Sequence, residues 1–501
     1  MEPKITFSTL EKKCKEKNAR SEKYFFPSPE FLKLELLIKT GLKWRSKARK
    51  MTRIRRVFRL VMVGSLGPAL AAVAGSELAP ATAPKLDRIM DQIVISGREL
   101  AHTRGSSLTQ LRLMAFQDGG LEPIPFQIDE RTPAGSYLMT RPDGSIDPGN
   151  GALDDQDELV FMVRDAGAAG DPGAGGIGAA AWDRVQVKDP QSGAGGWIYL
   201  VAFGKDPPPL SPKSYMQYVE KADHDELITP YYTLHFPKGD VFFRELMISP
   251  AAGGNGENFL DRIKMRSEVE LLGGVFAVGK TEENFVTRVL GVRAGPVRVI
   301  RQTDTRLKLL LSLQSPAAIV NGCFYPCGFE FPSLLSLPFR MDLIASDAYF
   351  RQGWDLNRQA LGLKFYSNLN REAVTLDGTM SPEEISLAAD PNTLQWALGT
   401  GAVGTFLFFG VWSSSAPLKA RLYYEDNLSR REPPESEPGV MGFAYRLENL
   451  LKMGGKAYPF NIVNYVVPDF GGDIERALRV LKDPLVVEVE GRKIAGPAGA
   501  E

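Results

Sequence analysis

The sequence is poor in the residues that redox and metal chemistry use most. It has three cysteines and three histidines, His102, His224 and His235, among 501 residues. This number argues against a multihaem protein and against a metal site built from several histidines. The nucleophile elbow, the phosphate loop, the dinucleotide fingerprint and the zinc-protease helix motif are also missing from the sequence. The enzyme classes that these motifs define are therefore not indicated.

Long apolar runs are missing too. The uncharged run at 60–74 is fifteen residues long, whereas a membrane-spanning helix needs about 20 apolar residues. Residues 396–418 carry no charge, but four glycines and three serines interrupt them. We predict two core strands around a glycine turn in this segment. The mature chain is therefore expected to have no transmembrane span.

Residues 51–74 have the three parts of a secretory signal peptide. Arginines precede a short apolar run, and Ala-Val-Ala at 72–74 provides small residues for a signal peptidase. Arg55-Arg56 also fits a twin-arginine signal, so the export route stays open. Because export signals act at the amino terminus, we interpret residues 1–50 as a mis-assigned extension, with a disordered basic tail as the alternative. The mature chain is expected to be periplasmic or extracellular.

The formal net charge of zero hides an asymmetry along the chain. Residues 1–74 hold 18 of the 60 lysines and arginines and 6 of the 60 acidic residues. The remaining chain therefore has 42 basic and 54 acidic residues, a net charge of −12. An acidic chain is poorly suited to bind nucleic acid, so we expect no nucleic-acid partner.

Short apolar segments with alternating polarity and frequent turn residues run through most of the remaining chain, which predicts an all-β fold. We expect an N-terminal β-barrel or sandwich over residues 85–210 and a large two-sheet β-supersandwich over residues 212–470. Two ordinary sandwiches are the alternative for the second segment. A short helix and a closing strand follow over residues 471–495. Other helices should be few and short, and Ser381-Pro382-Glu383-Glu384 is a good helix start.

Three segments carry a resemblance to a known family. Leu-Arg-Leu at 111–113, Pro-Ile-Pro-Phe-Gln-Ile-Asp-Glu at 123–130 and Asp-Glu-Leu-Val-Phe at 157–161 resemble the N-terminal β domain of secreted exo-rhamnogalacturonan-lyase-type proteins. The resemblance covers under a fifth of the chain, implies an extracellular β architecture near carbohydrate, and brings no active site with it.

Short β segments continue over residues 212–470, which is more chain than one small sandwich needs. This segment resembles the supersandwich of the galactose-mutarotase type. Enzymes of that type are expected to use a histidine and a carboxylate. His224 and His235 are therefore the candidate catalytic bases. The alternative is that both histidines have no catalytic role.

The two cysteines outside the doubtful extension lie close together, as Cys323 and Cys327. In an exported protein the default expectation for such a pair is a local disulfide, and Pro326 would help the backbone turn. A zinc site made of both cysteines and one histidine is the alternative.

An acidic loop between residues 143 and 158 offers the densest set of oxygen ligands. Hard cations such as calcium take six to eight oxygens from loops of this kind. We therefore consider a calcium site here, with a solvated hairpin loop as the alternative, and we expect no other cofactor. The candidate ligands are Asp143, Asp147, Asp154, Asp155 and Asp157.

Five residues are candidates for ligand binding on the large domain. Arg288 and Arg298 fall on neighbouring predicted strands, from which they would bind an acidic sugar through bidentate contacts. Trp354, Tyr423 and Tyr424 would stack on sugar rings. The alternative is that the rings are core residues and the arginines are paired with acids.

Together these patterns favour an exported, non-catalytic binding protein of the cell envelope or extracellular space. Its partner would be a glycan or another envelope component. One alternative is a carbohydrate-active enzyme, lyase-like or epimerase-like. The other is a structural component of a surface assembly.

Overall fold

Alternation of buried and exposed side chains along short segments produces strands through most of the chain. The computed structural model describes residues 86–117, 119–175, 178–271, 276–308, 314–315, 317–336, 345–454, 456–489 and 492–494. The predicted signal peptide at 51–74 and the predicted extension or tail at 1–50 lie outside these residues. Strands are numbered β1 to β28 along the described chain.

Two antiparallel sheets begin in the first part of the described chain. The three-stranded sheet has the order β1-β5-β4 and contains β1 (Gln92–Ser96), β4 (Phe126–Asp129) and β5 (Glu158–Met162). The six-stranded sheet has the order β28-β27-β6-β7-β2-β3. It contains β2 (Leu111–Gln117), β3 (Gly120–Pro123), β6 (Ala179–Lys188), β7 (Gly195–Phe203), β27 (Val486–Val489) and β28 (Arg492–Ile494). Strand β27 lies at the position of the predicted closing strand, and it pairs with β6 of the six-stranded sheet.

A four-stranded antiparallel sheet follows, with the order β11-β10-β9-β8. Its strands are β8 (Gln217–Glu220), β9 (His224–Ile228), β10 (Tyr232–Pro237) and β11 (Glu245–Ile248). One face is buried through Leu227, Leu234 and Phe236, and the other face meets solvent.

The two largest sheets form a sandwich. The five-stranded sheet, in the order β13-β12-β19-β25-β24, contains β12 (Leu260–Leu271), β13 (Phe276–Thr281), β19 (Ala345–Leu356), β24 (Lys419–Asn427) and β25 (Val440–Glu448). The ten-stranded sheet contains β14 (Phe285–Ala294), β15 (Val299–Leu307), β16 (Ala318–Tyr325), β17 (Gly328–Glu330), β18 (Ser333–Ser336), β20 (Lys364–Ser367), β21 (Asn370–Thr375), β22 (Trp396–Gly401), β23 (Gly404–Trp412) and β26 (Ala457–Val466).

Aromatic rings hold these two sheets together. Trp354 of β19 stacks on Phe406 of β23 with ring centroids 4.8 Å apart, and Phe443 of β25 meets Phe408 of β23 at 5.7 Å. Such pairs stabilise a core beyond the area that they bury. The prediction of an all-β fold with a large two-sheet sandwich is confirmed.

Helices are few among the described residues. The α-helices are α1 (Pro382–Ala388) and α2 (Ile474–Lys482). Ser381 and Glu384 form a capping box at the start of α1, as the sequence predicts. Short 3₁₀ turns lie at Gly97–Glu99, Leu108–Gln110, Val163–Asp165, Pro172–Gly175, Pro250–Ala252, Glu282–Asn284, Arg358–Ala360 and Leu450–Met453. None of the helices in the described part of the chain is long and apolar enough to cross a membrane.

The uncharged segment 396–418 forms β22 and β23, with a tight turn between them. Gly404 has a φ of 106°, a conformation that favours glycine. The prediction of two core strands around a glycine turn is therefore confirmed.

The described residues belong to one compact unit with two main hydrophobic cores. The smaller core uses residues between 86 and 202 together with Leu485, Val487 and Val489. The larger core fills the sandwich and also includes Val160 and Met162 of β5. Strand β5 therefore contributes to both cores, because Phe161, which lies between Val160 and Met162 on the same strand, points into the smaller core.

Candidate functional site

The outer face of the five-stranded sheet carries one arginine on each of four neighbouring strands. Arg266 of β12 lies opposite Arg351 of β19, Arg351 lies opposite Arg446 of β25, and Arg446 lies opposite Arg421 of β24. Directly opposite residues share a face, and strands about 4.8 Å apart make this row roughly 14 Å long. We call the row the arginine ladder. Opposed like charges destabilise a sheet unless acids compensate for them. Arg266 and Arg351 are buried, and Arg266 contacts the buried carboxylate of Glu282.

Residues 430–438 cover one end of the ladder. Glu432 of this segment contacts Arg351, and its Oε1 lies 3.2 Å from Nε of Arg266. Its backbone carbonyl also accepts a hydrogen bond of 2.9 Å from Arg266. Burial opposes the charge of Glu432, but the charges of Arg351 and Arg266 outweigh this effect and lower its pKa. The chain itself therefore provides a carboxylate to the covered end.

At the other end, Arg446 and Arg421 share a single carboxylate. Oε1 of Glu448 lies 3.4 Å from Nε of Arg446 and 3.5 Å from Nη1 of Arg421. The two arginine side chains are 38% and 30% exposed. Nε of Arg421 is buried and has no hydrogen-bond partner. Nη2 of Arg421 donates to the carbonyl oxygen of Asp390 at 3.4 Å. A guanidinium has five N–H donors, so this open end has more donors than Glu448 and this carbonyl can use.

Two tyrosine rings lie against the ladder. The guanidinium carbon of Arg351 is 3.8 Å from the ring centroid of Tyr423, and that of Arg446 is 4.0 Å from the centroid of Tyr349. Burial raises the pKa of Tyr423 to about 12, so its hydroxyl stays protonated near neutral pH. The face thus combines planar rings with guanidinium groups, and each ring is stacked on the guanidinium group beside it.

The exposed face of the four-stranded sheet carries a second cluster. His224 and Glu226 alternate along β9, and His235 of β10 lies opposite Glu226. Nε2 of His224 is 3.4 Å and Nε2 of His235 is 3.3 Å from Oε1 of Glu226. The three ligand atoms all lie within 4.8 Å of one another. We call these three residues the histidine cluster.

Charged neighbours surround the histidine cluster. A hydrogen bond from Nδ1 of His224 to Asp223, 2.8 Å long, raises the pKa of that histidine. The ammonium group of Lys221 contacts Glu226 and lowers the pKa of its carboxyl group. The cluster therefore already attracts one cation, the side chain of Lys221. The predicted histidines come together, although their small number in the sequence argued against a shared site.

The fold places one of the three aromatic residues predicted to bind sugar on the ladder face and buries the other two. Tyr423 lies on the ladder face. Trp354 is buried between the two sheets of the sandwich, and Tyr424 is buried with its hydroxyl donating to Glu384 at 2.6 Å. The prediction is therefore corrected for Trp354 and Tyr424, because alternate residues of a strand point to opposite faces.

The predicted arginines do not belong to the ladder. The side chain of Arg288 is 72% exposed and lies 3.4 Å from Asp304. Arg298 is 2% exposed, and its Nη2 lies 2.5 Å from Asp129 and 2.6 Å from Glu158. Arg298 is thus saturated by acids of β4 and β5, and the prediction that it meets a ligand is corrected.

The predicted calcium ligands do not converge. Their partners all differ: Asp143 accepts from Ser145, Asp147 from Arg141, Asp154 from Gln156, Asp155 from Arg104 and Asp157 from Arg131. In the part of the chain that the structure describes, the histidine cluster is the group of three such residues close enough to share a metal ion. The acidic loop is therefore organised by its own hydrogen bonds and ion pairs.

The predicted disulfide is also corrected. Cys323 and Cys327 are both free and buried. Cys323 of β16 packs in the large core, whereas Cys327 lies in a different hydrophobic cluster, with its Sγ 3.6 Å from the carbonyl oxygen of Ile89. Burial raises the pKa of both thiols, that of Cys327 to about 12.

Sequence reasoning missed the ladder and Glu226. The ladder depends on the register of four strands, and a shift of one residue would move any of its arginines to the other face. The sequence did contain a pattern that indicates Glu226: His-Asp-Glu at 224–226 puts a histidine and a carboxylate on one face of a strand.

No family model matches the chain, and no curated protein gives a significant match. The two clusters therefore carry the functional argument.

Proposed function

We propose that this is an exported, non-catalytic protein of the cell envelope or extracellular space that binds a linear anionic glycan along the arginine ladder. The observation that carries the proposal is the register of four arginines on four adjacent strands. A row of guanidinium groups matches a ligand with carboxylates at regular intervals, because each group can bind a carboxylate through paired hydrogen bonds.

The open end is the point at which the ligand would first bind. The side chains of Arg446 and Arg421 are partly exposed and have more donors than Glu448 and the carbonyl of Asp390 use, and the ring of Tyr349 lies beside Arg446. At the covered end Glu432 occupies the position of a ligand carboxylate against Arg266 and Arg351. Segment 430–438 would have to move for a long ligand to reach those two arginines.

The test is a titration of the full-length chain with alginate oligosaccharides, which are linear uronate chains. We expect saturable binding that weakens as salt is added, since the contacts are between exposed charges. Replacing both Arg421 and Arg446 by alanine should reduce affinity by at least about tenfold, because hydrogen bonds to charged groups are lost.

Arg288→Ala is the matched control, since it removes an exposed arginine from another sheet. Its affinity for alginate should equal that of the wild type, and neutral dextran should not bind. An equal loss in Arg288→Ala and in the double variant would mean that alginate responds to surface charge in general, and the proposal would fail.

A second candidate function is a carbohydrate-active enzyme, and Asp355 is the observation that favours it. Asp355 lies on the ladder face of β19, with Oδ2 2.7 Å from Nζ of Lys264. Burial raises its pKa to about 6, which suits a general acid or base near neutral pH. Asp355 is only 2% exposed, so a substrate would reach it only after the surrounding chain moves. The experiment is a search for shortened alginate products. Product formation that Asp355→Asn abolishes would replace the binding proposal by this one.

A further inference from the structure

We propose that the histidine cluster binds a divalent transition metal ion of the zinc class, independently of any glycan. Its ligands are Nε2 of His224, Nε2 of His235 and a carboxylate oxygen of Glu226. In a tetrahedral zinc site with bonds of about 2.0–2.2 Å, neighbouring ligand atoms lie roughly 3.3–3.5 Å apart. The two distances from the histidine nitrogens to Glu226 Oε1, 3.4 and 3.3 Å, fall in this range.

The sheet holds these side chains in place. His235 lies opposite Glu226 of β9 on one side and opposite Glu245 of β11 on the other. The opposite face of the same strands is packed in the large core through Leu227 and Leu234. Three ligands on adjacent positions of a packed sheet lose little freedom when a metal binds, which favours affinity.

Each histidine is also oriented by a second carboxylate. Nδ1 of His224 lies 2.8 Å from Asp223, and Nδ1 of His235 lies 2.5 Å from Glu245. A carboxylate that accepts the Nδ1 proton leaves the lone pair on Nε2, the atom that faces Glu226. Metal-binding histidines in proteins usually have such a partner, which fixes the tautomer and the ring orientation.

The set of ligands selects the kind of metal. Two imidazoles and one carboxylate suit zinc and its neighbours in the first transition row. Calcium needs six to eight oxygens, and magnesium keeps most of its waters, so neither fits a site with two nitrogen ligands. Three protein ligands leave a fourth position for water or for an exogenous ligand.

Lys221 is a competing cation within the chain. Its ammonium group contacts the same oxygen of Glu226 that would bind the metal. The lysine side chain is 45% exposed, so it can leave toward solvent. A metal ion must displace this ammonium group, and Lys221 therefore lowers the affinity of the site.

The experiment is a calorimetric titration of the EDTA-treated full-length chain with Zn²⁺. We expect one site per chain, and visible absorption typical of tetrahedral Co²⁺ when cobalt replaces zinc. His224→Ala and His235→Ala should each weaken Zn²⁺ binding by about 100-fold. Glu226→Gln keeps the size of the side chain and should weaken binding as well. Circular dichroism checks that each variant folds.

His102→Ala is the matched control. His102 is paired with Asp183 of β6 in another sheet, and its side chain is 57% exposed. Its removal should leave Zn²⁺ binding unchanged. The metal site is overturned if the wild type shows no saturable Zn²⁺ binding, or if His102→Ala weakens binding as much as the cluster variants do.

Two further variants test the surroundings of the site. Glu245→Gln should weaken Zn²⁺ binding by about 10- to 100-fold, as losses of second carboxylates usually do. Lys221→Ala should strengthen binding by about tenfold, whereas Lys482→Ala, which removes a lysine paired with Glu475 on α2, should not change it. Unchanged affinity in Lys221→Ala would overturn the role of Lys221 as a competitor.

Discussion

Arg298 and the open end of the arginine ladder are two opposite ways of placing guanidinium groups on a β-sheet. Arg298 is buried between acids of β4 and β5, and it is held by Asp129 and Glu158 at 2.5 and 2.6 Å. The ladder puts four arginines next to one another and gives its open end a single shared acid. The difference teaches that the fold depends on a charge only where that charge is buried and matched.

The largest effect on stability is expected when Arg298 loses its acidic partner. Asp129→Ala leaves the buried guanidinium without its closest carboxylate, so we expect a loss of about 3–5 kcal/mol in the free energy of unfolding. Asp129 is fully buried, and it also contacts Arg293 at 3.2 Å. Denaturation with urea measures the change.

The control for this variant is Glu475→Ala, which removes an exposed partner of Lys482 on α2. An exposed ion pair contributes about 0–1 kcal/mol, and the control should lose no more than that. A loss below about 1 kcal/mol in Asp129→Ala would contradict the structural role of the Arg298 ion pair.

An intermediate effect comes from Asp426, whose carboxylate is buried and hydrogen-bonded to backbone N–H groups of Asp377 and Gly378. Burial raises its pKa to about 6 from an ordinary 3.8. The folded state therefore holds the proton more tightly than the unfolded state. This contribution to stability is complete below pH 4 and is lost as the pH rises through about 6.

Asp426→Asn keeps the acceptor oxygen and removes the ionisation. Relative to the wild type, the variant should gain about 2 kcal/mol in unfolding free energy between pH 4 and pH 7.5, measured by urea denaturation at both pH values. If the unfolding free energies of the two proteins changed with pH in parallel, the ionisation of Asp426 in the folded state would not reduce stability. That result would mean that a buried charge without a basic partner does not weaken this fold, and that matching by an opposite charge is less important than the Arg298 ion pair suggests.

The smallest effect is expected at the open end of the ladder. Arg446→Gln removes one of several opposed like charges, and Arg446 is 38% exposed. We expect the free energy of unfolding to change by less than about 1 kcal/mol, because like charges directly opposite destabilise a sheet and the shared acid remains. Thermal unfolding monitored by circular dichroism measures this. A large loss would mean that the ladder serves the fold.

The sequence was sufficient for the fold class and for several local elements. Alternation of polarity marks strands, the Ser381 capping box marks α1, and glycines mark the turn at 401–404. These features depend on neighbours within a few residues. Patterns of this length can be recognised in a single sequence.

The site residues were predicted less well because they depend on pairing between distant strands. Tyr423 and Tyr424 are adjacent and alike in the sequence, yet one lies against Arg351 and the other is buried beside Glu384. Arg288 and Arg446 are equally basic, but only the register of the neighbouring strands decides which of them has arginines beside it. That register comes from packing across the whole sandwich.

The pairing of β27 with β6 has a consequence for the order in which the chain can assemble. Lys188 and Glu488, which form an ion pair across these two strands, are 300 residues apart. The edge of β6 that pairs with β27 must therefore wait, unpaired, until β27 has emerged from the ribosome. Contacts of such long sequence separation form slowly, and an open strand edge invites association with other chains. During synthesis, the six-stranded sheet, which begins with β2 near the start of the described chain, is thus the last to be completed.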